Sequence, residues 1–323
     1  MKKLELRNSG VKVSQIVQGL WAAGGGYFGD PQDQDTIEAV HACMELGIDS
    51  FDTAEIYGRG HSEQVLGEAL KDVPRDKVVL ISKAWTSNYG KAEMENALDT
   101  SMKYMKTDYL DVYFLHYPPT EQSIEEAMTN IMALKAKGKI RAVGVSNFNM
   151  EQLEEAEKYG QVDVIQPCYN LLWRYIDRDV LPYCRKNNIG VISYSSLAQG
   201  LLTGSMTADT KVTDGRARAA LFQPGVYEKC LEVTEFLKPI AAKYNKTVAQ
   251  LVINWMANTP GMTAPIVGCS TRAETVENAA SLGWELSKED YDAIDKRSKQ
   301  FTDNMPEYEL FFNSNIKGEP KEN

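Results

Sequence analysis

Short β-branched or apolar runs alternate with longer helical patterns eight times along this chain, and few folds accommodate that rhythm. The runs centre on QIVQG (residues 15–19), IDSFD (48–52), VVLISK (78–83), LDVYFLH (110–116), AVGVSN (142–147), VDVIQP (162–167), GVISYS (190–195) and APIVG (264–268). Such alternation marks repeated β-α-β units and a parallel sheet. Eight units with no break in composition predict an α/β chain closed into a (β/α)8 TIM barrel of about 250 residues plus insertions. No linker rich in Pro, Gly or Ser divides the 323 residues, so residues 1–323 read as one domain. Residues 3–13, LELRNSGVKVS, predict an N-terminal hairpin turning at Asn8-Ser9-Gly10 and plugging the barrel bottom. TVAQLVINWMAN and SKEDYDAIDKRSK predict two extra helices towards the C-terminus, and the polar tail from Phe301 onward has no clear period.

The intervening segments carry the three-to-four spacing of a buried helix face. In QDTIEAVHACMELG it falls on Ile37, Val40 and Met44; in SIEEAMTNIMALKAKGK it falls on Ile124, Met128, Ile131 and Leu134, with Lys137 and Lys139 near the end. Net charge is −10, and no basic block interleaved with aromatics offers itself to a phosphate backbone, so nucleic acid is not an expected partner. No stretch approaches the ~18 apolar residues of a membrane span, and the start lacks an apolar signal core. A soluble cytoplasmic protein is the expectation. The five cysteines, Cys43, Cys168, Cys184, Cys230 and Cys269, have no metal-ligand spacing and read as small buried hydrophobes, so no metal is expected.

Barrel enzymes work at the face where the strand C-termini emerge. On that face the second run ends on Asp52, the third on Lys83 and the fourth on His116, with Tyr57 in the loop after the second. Singly, each has a bland reading: a turn cap, a solvated strand end, a turn-bonding histidine, a packed ring. Jointly, three adjacent strands ending on groups that move or hold a proton point to catalysis. A phenol titrating near 10 donates poorly at neutral pH, and a neighbouring ammonium favours its phenolate. Lys83 is expected to lower the Tyr57 pKa, Asp52 to hold Lys83, and His116 to donate to an oxygen that gains charge on reduction.

No activated serine or cysteine and no obvious metal cluster accompanies this set, so a general acid here needs some other electrophile or electron source, and hydride chemistry would require a cofactor. The remaining strand ends suit one. Ser146, Asn147 and Gln166 offer hydroxyl and amide groups to a carboxamide. Tyr194 offers a ring, Gly200 an approachable backbone, and the run from Gly268 into a helix start the dipole that favours phosphate. A literal dinucleotide fingerprint also occurs, Gly24-Gly-Gly26-Tyr-Phe-Gly29, with Asp49 or Asp52 about twenty residues on. Its glycines fall in a long loop between a strand end near Gly19 and a helix start near Asp33, with Asp30-Pro31 between, so they cannot make the tight Rossmann turn. An aromatic flap bearing Trp21, Tyr27 and Phe28 is the better reading. His41 and His61 are assigned no role.

DTAEIYGRGHSE (52–63), ISKAW (81–85), DYLDVYFLH (108–116), GVSNF (144–148), IQPCYN (165–170) and GCSTRAETVEN (268–278) together resemble the aldo-keto reductase family over nearly the whole chain. Within it, GLWAAGGGYFGD most resembles a bacterial branch of inositol-operon and general-stress reductases and, more distantly, potassium-channel β subunits. The resemblance implies a tetrad with Tyr57 as general acid, Lys83 and Asp52 tuning it and His116 orienting the carbonyl of an aldehyde or ketone. Hydride would come from NADPH, with NADH as the alternative. It further implies that Ser146, Asn147 and Gln166 hold the nicotinamide amide and that Tyr194 stacks on its ring. Leu197, Gln199, Gly200 and Leu201, with Arg216, would cover the pyrophosphate. Trp21 and the final motif's Gly268, Ser270, Arg272, Glu274 and Asn278 complete the cofactor set. Glu274 departs from the family's usual Arg, Lys or Gln and would repel a 2′-phosphate. Thr271-Arg-Ala-Glu274 also reads as a capping box, and Arg272 can supply the missing cation. The pocket walls are expected from Trp21, Trp85, Tyr117, Trp173, Phe311 and Phe312. A regulatory subunit with little turnover is the rival reading; substrate identity and oligomeric state are not legible.

Overall fold

The computed structural model describes residues 1–28, 31–308 and 311–312. A hairpin of β1 (Lys3–Glu5) and β2 (Lys12–Ser14) precedes the eight parallel strands β3 (Val17–Gly19), β4 (Ser50–Asp52), β5 (Val79–Ala84), β6 (Leu110–Leu115), β7 (Ile140–Ser146), β8 (Val164–Gln166), β9 (Gly190–Ser193) and β10 (Ala264–Gly268). The eight pair in sequence order and β10 returns to β3, closing the barrel. All eight runs read from the sequence are strands, and each closes within two residues of its expected end.

Inward-facing residues alternate along each strand, and that period of two builds the mouth. Val79 and Ile81 of β5 lie in the barrel interior, and the next inward position is Lys83. Val112 and Phe114 of β6 lead likewise to His116, Val164 of β8 to Gln166, and Ile192 of β9 to Tyr194. Gly144 of β7 breaks the inward series because a Cβ there would sit 2.3 Å from the Phe114 ring. The hairpin's Leu6, Val11 and Val13 join the same interior cluster. Leu6 lies against Gly190 at the start of β9, and Gly10 accepts from Arg141 near the start of β7, so the hairpin plugs the strand N-termini as expected.

Helices α1 (Asp33–Glu45), α2 (His61–Ala69), α3 (Lys91–Tyr104), α4 (Ile124–Ala136), α5 (Met150–Tyr159) and α6 (Val180–Asn187) follow β3 to β8 in turn. After β9 come α7 (Tyr227–Lys243) and α8 (Val248–Ala257); α9 (Arg272–Ala279) and α10 (Lys288–Asp303) follow β10. Two readings of the helices need correction. TVAQLVINWMAN is not an extra helix: α8 packs on β10 and α9, with every residue but Gln250 buried, and the outer layer is α7 and α10. A helix apolar all round belongs between two layers. In α1 the buried face is Thr36, Ala39, Val40 and Cys43, with Ile37 and Met44 at its margin, because small side chains let α1 pack closely between α2 and α9. No helix among the described residues is long and apolar enough to cross a membrane.

Candidate active site

At the C-terminal mouth, Lys83 is fully buried and its Nζ donates to Asp52 Oδ1 at 2.6 Å and to the Thr53 carbonyl at 2.6 Å. The Tyr57 hydroxyl lies 3.5 Å from the same nitrogen. Gln166 donates its amide nitrogen to Asp52 Oδ2 at 2.8 Å, so both carboxylate oxygens are engaged. Burial pushes Asp52 up and Lys83 down, each towards neutrality, and their contact opposes both shifts. His116 is 8% exposed, and burial, with the Lys83 charge behind it, holds it well below the usual imidazole range. Its ring is therefore neutral, and Nδ1 is enclosed without a hydrogen-bond partner. Asp52, Tyr57, Lys83 and His116 thus meet at one mouth.

The expected acidification of Tyr57 does not occur. Its phenol is raised well above 10, first by burial and then by the charges of Asp52 and Tyr117. The reason is pairing: an ammonium 2.6 Å from a carboxylate presents little net charge to a third group, so desolvation wins.

Tyr57 is aimed by backbone-to-backbone packing. It opens a short turn, Tyr57–Gly60, in which Gly58, Arg59 and Gly60 all take positive φ. A Cβ at Gly58 would lie 2.4 Å from the Gly24 carbonyl, and one at Gly24 would lie 2.6 Å from the Gly58 nitrogen. The apparent dinucleotide glycines therefore bring the flap against the tyrosine turn; Gly29 and Asp30 lie outside the described residues. Trp21 consequently stacks on Tyr57, ring centroids 5.9 Å apart, and on Tyr27 at 4.6 Å.

Ser146, Asn147, Gln166 and Tyr194 form one network beside the tetrad. Ser146 Oγ donates to the Gln166 carbonyl at 2.7 Å, Asn147 Nδ2 to the His116 carbonyl at 2.9 Å, and Tyr194 Oη to Asn147 Oδ1 at 2.6 Å. Phe312 stacks on the Tyr194 ring at 5.8 Å and 13°, so the tail already covers a face that a cofactor ring would use. Beyond lies a cavity of about 640 Å³, open to solvent, reaching from Trp85 and His116 past Tyr194 to Gly268, Ser270 and Glu274. On its far side Arg216 pairs with Asp214 and donates to the Gln199 carbonyl at 3.1 Å, while Gln199 Nε2 donates to Tyr27 Oη at 3.2 Å across the mouth. A Cβ at Gly268 would meet nothing within 4 Å, so the backbone there is open to a ligand.

Several expected site residues are elsewhere. Leu201 is fully buried in the core beneath its loop, since its apolar side chain gains more there than at a polar rim. Arg272 points outward and pairs with Glu45 of α1. Asn278 is buried behind the strand end against Cys269. Trp173 and Phe311 pack on one another at 5.1 Å in the core and do not line this cavity, whereas Trp85, Tyr117 and Phe312 do. Only half of the expected capping box forms: Thr271 Oγ1 accepts from the Glu274 N–H at 3.3 Å, whereas Glu274 Oε2 accepts at 2.7 Å from the Ser270 N–H, one residue before the cap.

Sequence reasoning missed Glu55, whose carboxylate accepts from the Trp85 N–H and from Asn88, fixing Trp85 on the rim. It also missed Glu63, which accepts from Ser82 at 2.6 Å directly behind Lys83. Both stand within the DTAEIYGRGHSE stretch, and an acid at a helix start is a signal too common to single them out.

The model of the Aldo/keto reductase family matches residues 15–299. Aldo-keto reductase YhdN of Bacillus subtilis is 34% identical over 302 residues, covering 90% of this chain and 91% of that one. The NADH-specific methylglyoxal reductase of Escherichia coli is 33% identical over 313 residues, covering 90% and 96%. A probable voltage-gated potassium channel subunit beta from rice is 29% identical, covering 87% and 91%. Among solved structures, the glycerol dehydrogenase of Gluconobacter oxydans superposes with a TM-score of 0.83 at 29% identity, covering 91% and 94%. An aldo/keto reductase of Klebsiella pneumoniae in complex with NADP and acetate gives 0.75 at 30%, covering 96% and 99%.

Proposed function

Given that this chain belongs to the aldo/keto reductase family, we propose that Tyr57, Lys83, Asp52 and His116 are the groups with which it reduces an aldehyde or ketone to the alcohol. It is an NAD(P)H-dependent oxidoreductase. The observation that carries the residue assignment is the fully buried Lys83 ammonium held between Asp52 and the Thr53 carbonyl, with the Tyr57 hydroxyl 3.5 Å away.

The mouth suits a dinucleotide: an open cavity of sufficient length, an amide-bearing network at one end and an uncrowded glycine at a helix start at the other. Ser146, Asn147 and Gln166 would hold the carboxamide, Tyr194 would face the ring once Phe312 yields it, and Gln199, Gly200, Arg216 and Ser270 would take the phosphates. Held there, the reduced cofactor would supply a hydride for the carbonyl carbon. Neutral His116 orients the carbonyl oxygen by donating from Nε2, because its other ring nitrogen is enclosed. Tyr57 Oη gives that oxygen its proton. A phenol raised above 10 is fully protonated at neutral pH, so the donor is always loaded. Lys83 then receives the forming phenolate beside its Nζ, and Asp52 and Gln166 keep the lysine in register.

Cofactor choice turns on Glu274. Its carboxylate already occupies the Ser270 N–H, and Arg272 is committed to Glu45, so a 2′-phosphate finds a carboxylate where it needs a cation. NADPH remains the expected cofactor with NADH possible, and the Glu274 carboxylate shifts the balance towards NADH. The rival regulatory-subunit reading has no support in the mouth, where every tetrad position is filled.

Assaying the purified chain with NADPH and NADH against aldehydes, ketones and sugars tests the function. Carbonyl-dependent loss of reduced cofactor is expected; tight cofactor binding without turnover on any carbonyl would sink the reading.

A further inference from the structure

Behind the phosphate side of the mouth, two thiols from distant parts of the chain meet on one oxygen. Cys43 of α1 donates to Gln18 Oε1 at 3.4 Å, and Cys269, the residue after β10, donates to the same atom. Gln18 donates in return from Nε2 to the Cys269 carbonyl at 2.8 Å, so Cys269 is held at both ends. Cys269 is 8% exposed and lines the cavity beside Gly268 and Ser270, whereas Cys43 is fully enclosed behind it. Both are free. Two free thiols held against one oxygen are the arrangement from which a disulfide can close.

The electrostatics tell the two sulfurs apart. The largest influence on each thiol is the other: Cys43 lowers Cys269 against the opposing effect of burial, helped by hydrogen bonds to Thr275 and Asn278, while Cys43 itself is pushed up. Cys269 is therefore the more readily deprotonated of the two and Cys43 keeps its proton.

We propose that Cys269 and Cys43 form a peroxide-oxidised dithiol that closes reversibly to a disulfide and disables the phosphate end of the cofactor site. The second clause rests on the cofactor placement proposed above. In the first step the Cys269 thiolate attacks one oxygen of a hydroperoxide, the O–O bond breaks, sulfur gives up two electrons, and a sulfenic acid and hydroxide result. In the second, Cys43 sulfur attacks the sulfenic sulfur, the S–O bond breaks, and the departing hydroxide takes the Cys43 proton as water. In sum, two thiols and hydrogen peroxide give one disulfide and two waters.

Closing the bond brings the sulfurs to about 2.05 Å with a dihedral near 90°. Cys269 is thereby drawn towards α1, and Gln18 Oε1 loses both S–H donors. The backbone that moves with Cys269 is the strand end leading through Ser270 to α9.

The test treats the full-length reduced protein with hydrogen peroxide, then alkylates it under denaturing conditions. Expected are the loss of two of the five thiols, a Cys43–Cys269 linked peptide by mass spectrometry, recovery with a dithiol reductant, and weaker NADPH and NADH binding by fluorescence while oxidised. Prior saturation with cofactor should slow the oxidation, because it covers Cys269. Cys43→Ser should leave Cys269 as a sulfenic acid trapped by dimedone, with no linked peptide. Five thiols retained, or a linked peptide through other cysteines, would overturn the disulfide using wild-type protein alone. A Cys43–Cys269 disulfide that leaves cofactor affinity unchanged would overturn the switch. Reduced protein that binds neither cofactor would instead refute the cofactor placement, and peptide mapping would still decide the disulfide.

Discussion

The two sides of the mouth are built on different principles. On the β4–β6 side the working groups belong to strand ends or to the turn beside them: Asp52 and Lys83 are buried and joined by a 2.6 Å hydrogen bond, His116 is buried beside them, and the Tyr57 turn is fixed by its close contact with Gly24. On the β9–β10 side the groups stand on turns such as 195–204, where Ser195, Ala198, Gln199 and Gly200 take positive φ, and on residues from remote segments such as Tyr27, Arg216 and Phe312. The difference follows the chemistry. Moving a proton needs desolvated groups at one geometry, whereas holding phosphates needs backbone donors and a surface that can open. Substitutions on the first side should therefore change the rate and the stability, and on the second side the cofactor affinity.

The largest expected effect is on the first side. Tyr57→Phe should lower kcat by about 10²–10⁴-fold with cofactor affinity nearly unchanged, since only the proton donor is lost. Stopped-flow hydride transfer and fluorescence titration measure the two separately, and a variant with normal turnover would remove Tyr57 from the mechanism. Because its phenol lies well above 10, wild-type kcat should stay flat through neutral pH and fall only on the alkaline side.

Next comes the ion pair. Asp52→Asn leaves Lys83 enclosed without its counter-ion and should cost about 3–5 kcal/mol of stability by denaturant titration. Burial already depresses Lys83, so the deficit should be largest at low pH and shrink as pH rises towards the ordinary lysine value, where the unfolded chain also gives up its proton. A pH-independent deficit would mean that Lys83 is held neutral in the variant by something else.

This contrast also explains what was legible. The tetrad could be read because a barrel strand has period two and a fixed polarity: Val79, Ile81, Lys83 and Val112, Phe114, His116 each run straight to the mouth. The same logic located Ser146, Gln166 and Tyr194. It failed where side-chain direction is set by tertiary packing. Leu201 and Gln199 are two residues apart in one turn, yet one enters the core and the other the mouth. Arg272 and Glu274 share a helix start, and only the pairing of Arg272 with a glutamate more than two hundred residues earlier decides which of them lines the cavity. The sign of the Tyr57 shift was misread for a related reason, because a formal charge on Lys83 is visible in the sequence and its neutralisation at 2.6 Å is not.

Glu63 offers a third test on the rigid side. Burial lifts its carboxyl to about 7; Oε1 accepts from Ser82 and Oε2 has no partner. With the unfolded value near 4.5, the unfolded chain loses this proton first as pH rises. Glu63 therefore costs no stability below about pH 4.5, increasingly destabilises the fold up to about 7, and adds a constant penalty above that. Glu63→Gln should match the wild type at pH 4 and exceed it by roughly 2–3 kcal/mol at pH 8. Equal stability at both pH values would mean that the Glu63 carboxyl is hydrated in the folded protein.

The smallest effect is expected on the second side, and it bears most directly on the contrast. Glu274→Gln keeps an amide oxygen for the Ser270 N–H but removes the charge that faces a 2′-phosphate, and Glu274→Arg reverses it. Exposed charges interact by no more than about 1 kcal/mol, so the ratio of kcat/KM for NADPH to that for NADH should rise about two- to fivefold in the first variant. In the second it should rise further, and added salt should reduce both gains. The change should lie in KM, with kcat for each cofactor untouched, since no proton-moving group is near. If kcat changes instead, the helix start is coupled to the tetrad and the two sides of the mouth are one mechanical unit. If neither parameter moves, Glu274 acts purely as a helix cap, and discrimination between the cofactors must come from Arg216 or the turn that it clasps.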